Sequence, residues 1–94
     1  MIRSFADEDT EQVFDRRPSR RYATFERVAL RKLRQIHSVS RVEELGEPPG
    51  NRLEKLKSGR EGLWSLRIND QWRVCFEWPE SSVRPFNIEI ADYH

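Results

Sequence analysis

Two short segments, residues 64–68 (WSLRI) and 72–78 (WRVCFEW), alternate apolar and polar side chains and are separated by Asn69-Asp70. A period of two marks a half-buried strand, and Asn and Asp tolerate the positive φ that tight hairpins demand. The pair predicts an antiparallel hairpin, so the rest of the chain must supply the layer that covers its apolar side. Which residues share a side depends on the turn. A two-residue turn puts Leu66 and Arg73 together, and one residue more reverses that, because successive side chains point to opposite faces. In either case Arg73, between Trp72 and Val74, projects opposite to its apolar neighbours, where a solvent-filled cleft would have to be.

Residues 1–5 (MIRSF) alternate over a strand's length, and Asp7-Glu8-Asp9 then place acid where a helix N-terminus favours it. A short first strand and a first helix over about residues 8–16 are expected. Pro18 breaks that helix, and Ser19 can cap a second one whose apolar positions Tyr22, Phe25, Ala29, Leu33 and Ile36 fall on one face. Residues 42–45 suit a helical turn, and residues 46–51 (GEPPGN) fit neither helix nor interior strand. Residues 53–56 read as a short strand, 57–62 as a polar loop, and 86–90 or beyond as a last strand. The order predicts a single α+β domain over residues 1–94: a short N-terminal strand, and two helices packed on one face of a twisted, mainly antiparallel sheet.

Charged residues make up 35% of the 94 positions, against about 25% in an average globular chain. The core is therefore modest and stability ordinary or marginal. A net charge of +1 gives no global field for nucleic acid, so any attraction must come from placement. Arg16, Arg17, Arg20, Arg21, Arg27, Arg31, Lys32 and Arg34 concentrate positive charge around the second helix, with Glu26 the single acid between positions 16 and 34. That suits a solvated helix face, or a dock for RNA or an acidic partner. A lone Cys75 excludes an intramolecular disulfide and argues against a cysteine metal site. Without an apolar run near 18 residues or a signal-peptide core, a soluble cytoplasmic protein is expected. Trp64, Trp72 and Trp78 suit sheet core better than base stacking, and His37 suits the negative end of the second helix.

The chemistry-bearing candidates are Glu54, Arg73 and the closing Tyr93-His94. A carboxylate can take the proton of a ribose 2′-OH, an imidazolium can protonate the departing 5′ oxygen, and a guanidinium can hold charge on the phosphorane between them. For Arg73 the ordinary alternative is an ion pair with Glu54 or Glu77 and no catalytic part. A histidine at position 94 carries its own α-carboxylate nearby, which favours the protonated ring, whereas Arg73 would push the other way.

The wider pattern, L-E-x-L-x-x-G-R-x-G-x-x-S-x-R-x-N-D-Q-W-R-x-C-F-x-W closed by I-E-I-x-D-Y-H and opened by M-I-R-S-F, resembles the HigB-type toxins of the RelE/ParE superfamily. Many of these carry a histidine in an L-H-x-L-K-G run where this chain has Glu54, so that histidine's role does not transfer. The YoeB-like ribonucleases of the same superfamily are similar in another way, and Glu54, Lys57, Arg73, Tyr93 and His94 match their arrangement.

The resemblance implies an endoribonuclease that cuts messenger RNA in the ribosomal A site, leaving a 2′,3′-cyclic phosphate and a 5′-OH without a cofactor. It implies Glu54 as general base, Arg73 as stabiliser of the pentavalent phosphate and His94 as general acid. Tyr93 would stack on a base or orient the histidine, Lys57 would join the site, and Arg52, Lys55, Arg60 and Arg67 would hold RNA. The implied partners are a HigA-type helix-turn-helix antitoxin, the ribosome with its message, and operator DNA reached through the antitoxin. The competing readings are a ParE-like toxin that inhibits gyrase by contact, and an inactive partner that only binds antitoxin and DNA.

Overall fold

The structure, a computed structural model, describes residues 1–56 and 62–92. The expected Lys57, Arg60, Tyr93 and His94 contributions fall outside the described residues. Helix α1 spans Glu8–Phe14 and α2 Glu26–Ser38; strands β1 (Glu54–Lys55), β2 (Leu63–Arg67), β3 (Trp72–Glu77) and β4 (Phe86–Asp92) form one antiparallel sheet in the order β1-β2-β3-β4. The α+β arrangement is the expected one. The first strand is reduced to a parallel bridge, Phe5 to Ile88, flanked by bonds from Ala6 N–H to the Ile88 carbonyl and from Ile88 N–H to the Ser4 carbonyl.

Local chemistry fixes the helix ends. Asp7 caps α1 by accepting from Thr10 N–H at 2.7 Å, relieving one of the unpaired donors of the first turn. The helix stops at Phe14, before Pro18 is reached, because Arg16 turns left-handed at φ 60. Ser19 accepts from Tyr22 N–H as a cap should, but what it caps is a turn; a 3-10 segment, Ala23–Phe25, intervenes before α2. The amphipathic face holds: Tyr22, Ala29, Leu33 and Ile36 are buried.

Helices α1 and α2 cover the sheet face bearing Leu66, Val74, Phe76, Ile88 and Ile90, and these residues form the core together with Val13 and the α2 face. Trp78 is buried, and Trp64 and Trp72 pack partly buried against the cluster, as expected for sheet core. Trp72 lies edge-on to Tyr22 and beside Phe25. Helix α1 and the turn before α2 also close the sheet's free edge: the Ile90 N–H donates to Thr10 Oγ1 at 3.0 Å, and Tyr22 OH donates to the Ile90 carbonyl at 3.4 Å. Such capping removes an unpaired edge that could recruit another strand.

The hairpin turn is the longer of the two possibilities. Asn69 Oδ1 accepts from the N–H groups of both Gln71 and Trp72, an Asx arrangement that sets the turn, and Ile68 N–H donates to the Trp72 carbonyl. Arg67 therefore pairs with Arg73, and Leu66 with Val74. At the far end of the hairpin, Gly62 has φ +76, and a Cβ there would lie 2.5 Å from Pro79 backbone atoms. Only glycine fits that crossing.

His37 lies in the last turn of α2, as expected. Its Nδ1 accepts the Ile2 N–H at 3.2 Å and its ring packs on Phe14, so the side chain also ties the N-terminal segment to α2. Lys32 departs from expectation, turning inward from the basic helix to 5% exposure.

Candidate active site on the open sheet face

The sheet face away from the helices carries Ser65 and Arg67 from β2, Arg73 and Cys75 from β3, and Glu54 from β1. Cross-strand pairing sets Glu54 opposite Ser65, Ser65 opposite Cys75, and Arg67 opposite Arg73. Two arginines facing each other across strands repel, and each is drawn toward an acid. Arg67 pairs with Asp70, while Arg73 Nη2 lies 3.6 Å from Glu54 Oε2. The Arg73–Glu54 pair is the ion pair the sequence left open, and Glu77 instead accepts from Asn87 Nδ2 at 2.7 Å.

Arg73 is fixed more firmly than an ion pair alone would manage. Its Nε–H donates to Ser65 Oγ at 2.7 Å and its Nη2 to the Arg52 carbonyl at 2.7 Å. The side chain is 12% exposed, whereas that of Glu54 is 59% exposed. A guanidinium has five N–H donors in a rigid fork, and among the described residues Nη1 makes no hydrogen bond. The result is a positioned cation with donors to spare, next to a carboxylate that water and substrate can reach. Such an arrangement can donate charge-assisted hydrogen bonds from Nη1 to the oxygens of a phosphodiester while a base works beside it.

Cys75 shares this face two residues beyond Arg73. Burial first, and then Glu89, push its thiol up to about 11, with Arg73 opposing, so it stays protonated near neutrality and is a poor nucleophile. Among the described residues no three His, Cys, Asp or Glu side chains gather as a metal site would require.

The structure thus brings together Glu54, Arg73 and Arg67. Arg52 takes part through its carbonyl, while its side chain lies exposed. Lys55 is set apart, because it pairs with Trp64 on the helix side of the sheet, with Nζ 5.8 Å from that indole ring. A cavity of about 820 Å³ next to it is lined by Arg41, Lys55, Trp64, Trp78 and residues 79–83, and touches none of Arg52, Glu54, Arg67 and Arg73. Sequence reasoning missed Ser65 and the Arg52 carbonyl. Ser65 was detectable as a small polar residue in register with Arg67 on an alternating strand; a backbone acceptor leaves no trace in side-chain identity.

Comparison with known proteins identifies the family. The family model for a RelE-like toxin of type II toxin–antitoxin system HigB matches residues 3–94. Toxin HigB-1 of Vibrio cholerae serotype O1 is 34% identical over 80 residues, covering 83% of this chain and 84% of the relative. Endoribonuclease HigB of Proteus vulgaris is 31% identical over 62 residues, 64% of this chain and 65% of that one. A Haemophilus influenzae protein of uncharacterised role is 29% identical over 68 residues, 72% and 67% respectively. With the match running over nearly all of the chain and through all four strands, the chain belongs to the HigB-like toxins, the RelE-like toxins of type II toxin–antitoxin systems.

Proposed function

We propose that this toxin is an endoribonuclease that cuts ribosome-bound messenger RNA, using Glu54 as general base and Arg73 as the stabiliser of the phosphorane. The observation that carries the reading is the Arg73 guanidinium, held by Ser65 and the Arg52 carbonyl 3.6 Å from the Glu54 carboxylate on the sheet face away from the helices. The relative named Endoribonuclease HigB supports the same activity. In the proposed reaction the carboxylate accepts the 2′-OH proton as that oxygen attacks phosphorus. Arg73 binds the equatorial oxygens through its unused donors, and the P–O5′ bond breaks as His94 delivers a proton. The products are a 2′,3′-cyclic phosphate and a 5′-OH, and no cofactor is called for. Each proton-transfer group contributes about 10²–10⁴-fold, and one charge-stabilising donor about 10²–10³.

His94, Tyr93 and Lys57 enter on family resemblance, as does Arg60 with Arg52, Lys55 and Arg67 as contacts to RNA. Of these cations Arg67 has the strongest support, since it faces Arg73 directly. Membership of a toxin–antitoxin family implies an antitoxin partner; a HigA-type helix-turn-helix protein, the ribosome, and operator DNA bound through the antitoxin are the partners assigned. A cytoplasmic site of action follows from such a target, and among the described residues no helix is long and apolar enough to cross a membrane.

The test is controlled expression with RNA ends mapped in wild type, Arg73→Ala and Glu54→Gln, and gyrase assayed in parallel. Cleavage in wild type, with 2′,3′-cyclic phosphate ends and near-complete loss in both variants, is expected. Gyrase inhibition without RNA cleavage would overturn the reading.

A further inference from the structure

The segment that carries Glu54 is tied to α2 by a buried polar cluster that the proposed chemistry does not touch. Lys32 is 5% exposed and Asn51 0% exposed. Lys32 Nζ donates to Asn51 Oδ1 at 2.5 Å, and Asn51 Nδ2 donates to Gln35 Oε1 at 2.8 Å and to the Leu45 carbonyl at 2.9 Å. Both ends of the Asn51 amide are thereby held, and the residue cannot rotate or slide without leaving a buried polar group unpaired.

The next residue, Arg52, sits in the left-handed region at φ 43, ψ 57. That region is costly for a residue with a Cβ, and the conformation persists because its surroundings impose it. Its consequence is functional geometry, since the Arg52 carbonyl accepts from Arg73 Nη2 and the chain then enters β1 at Glu54, whose carboxylate lies 3.6 Å from the same nitrogen.

Lys32 is also an expensive way to hold an asparagine. No carboxylate pairs with it among the described residues, and burial, then Arg31 and Arg67, push its ammonium below the ordinary lysine range. A neutral side chain could fill the same space at lower cost.

We propose that Lys32, acting through Asn51, is a positioning residue for the active site: it locks the left-handed turn at Arg52 and so sets the Glu54 carboxylate against the Arg73 guanidinium. The inference rests on the roles assigned to Glu54 and Arg73 above. Displacing a reacting group by about 1 Å can cost about 10²-fold, so a joint held this rigidly has measurable consequences for rate.

The experiment is message cleavage in a reconstituted translation mixture by Lys32→Met and Gln35→Met, with thermal melts alongside. Each is made alone and in a Glu54→Gln background, and Arg73→Ala is included. In Lys32→Met, kcat should fall about 10–100-fold with KM within about twofold. Gln35→Met, which removes one Asn51 partner from the side of α2, should show the same split with a smaller loss, and it decides the matter if Lys32→Met does not fold. Because a carboxylate that is absent cannot be misplaced, the loss should shrink sharply in the Glu54→Gln background. An undiminished loss there would overturn the inference, as would folded variants that cut at the wild-type rate while Arg73→Ala is inactive. If Arg73→Ala and Glu54→Gln themselves cut normally, the site assignment falls first and takes this inference with it.

Discussion

The two faces of the sheet are built from the same strands, yet they are governed by opposite rules. On the helix side, Leu66, Val74, Phe76, Ile88 and Ile90 are 3% exposed or less and meet apolar partners. On the open side, Ser65, Arg67 and Arg73 meet oxygen atoms and acids. One face is held by area removed from water, which is indifferent to direction; the other is held by hydrogen bonds, which are not. Damage to the first should therefore appear as lost stability, and damage to the second as lost rate in a folded protein.

The sharpest way to break that division is at its two extremes. Phe76→Ala, at a fully buried position, should cost about 3–5 kcal/mol, visible as a large fall in the denaturant midpoint and, through unfolding, in toxicity. Arg73→Ala should instead reduce cleavage about 10²–10³-fold while the protein still unfolds cooperatively. A matching collapse of stability would make Arg73 structural and merge the two faces into one.

Arg73→Lys sharpens the same point. Lysine keeps the charge but lacks the planar fork that reaches Ser65 Oγ and the Arg52 carbonyl together. Cleavage should fall nearly as far as in the alanine variant, as single-turnover rates would show; recovery to wild type would mean that charge alone suffices.

The smallest effect concerns Cys75. Because its folded value of about 11 exceeds the ordinary 9.0, the folded state holds the thiol proton more tightly than the unfolded chain. The stability this contributes is fully present below about pH 9 and is lost as pH rises toward 11. Denaturation across that window should be steeper in wild type than in Cys75→Ala, and equal slopes would remove the effect. At pH 8, alkylation of folded protein should run more slowly than that of a free thiol, with mass spectrometry as the readout.

Much of this molecule is legible in its amino-acid sequence. The alternation of residues 64–68 and 72–78 gave the hairpin, and the three-and-four spacing from Tyr22 to Ile36 gave the buried face of α2, because strand and helix periods are local properties of the chain. Glu54 and Arg73 stood out by residue type and by family pattern, and they do meet in space. What failed was local detail with a non-local cause. The start of α2 lies at Glu26 because the turn after Ser19 instead places Tyr22, whose hydroxyl reaches the Ile90 carbonyl. Lys32 looked like one more cation on a basic face, and its burial depends on Asn51, a residue the intervening chain must first bring back to α2.

The sequence by itself determined the elements, their order and which side chains could perform the chemistry, since those follow from period, capping and functional groups. The tertiary structure alone decided that Arg67 rather than Leu66 stands opposite Arg73. It also decided that a backbone carbonyl in a left-handed turn anchors the guanidinium, and that Lys55 leaves the site it adjoins in sequence. The reason is physical: one residue in a turn inverts every side chain that follows it, and an acceptor on the main chain is present at every position until folding selects one.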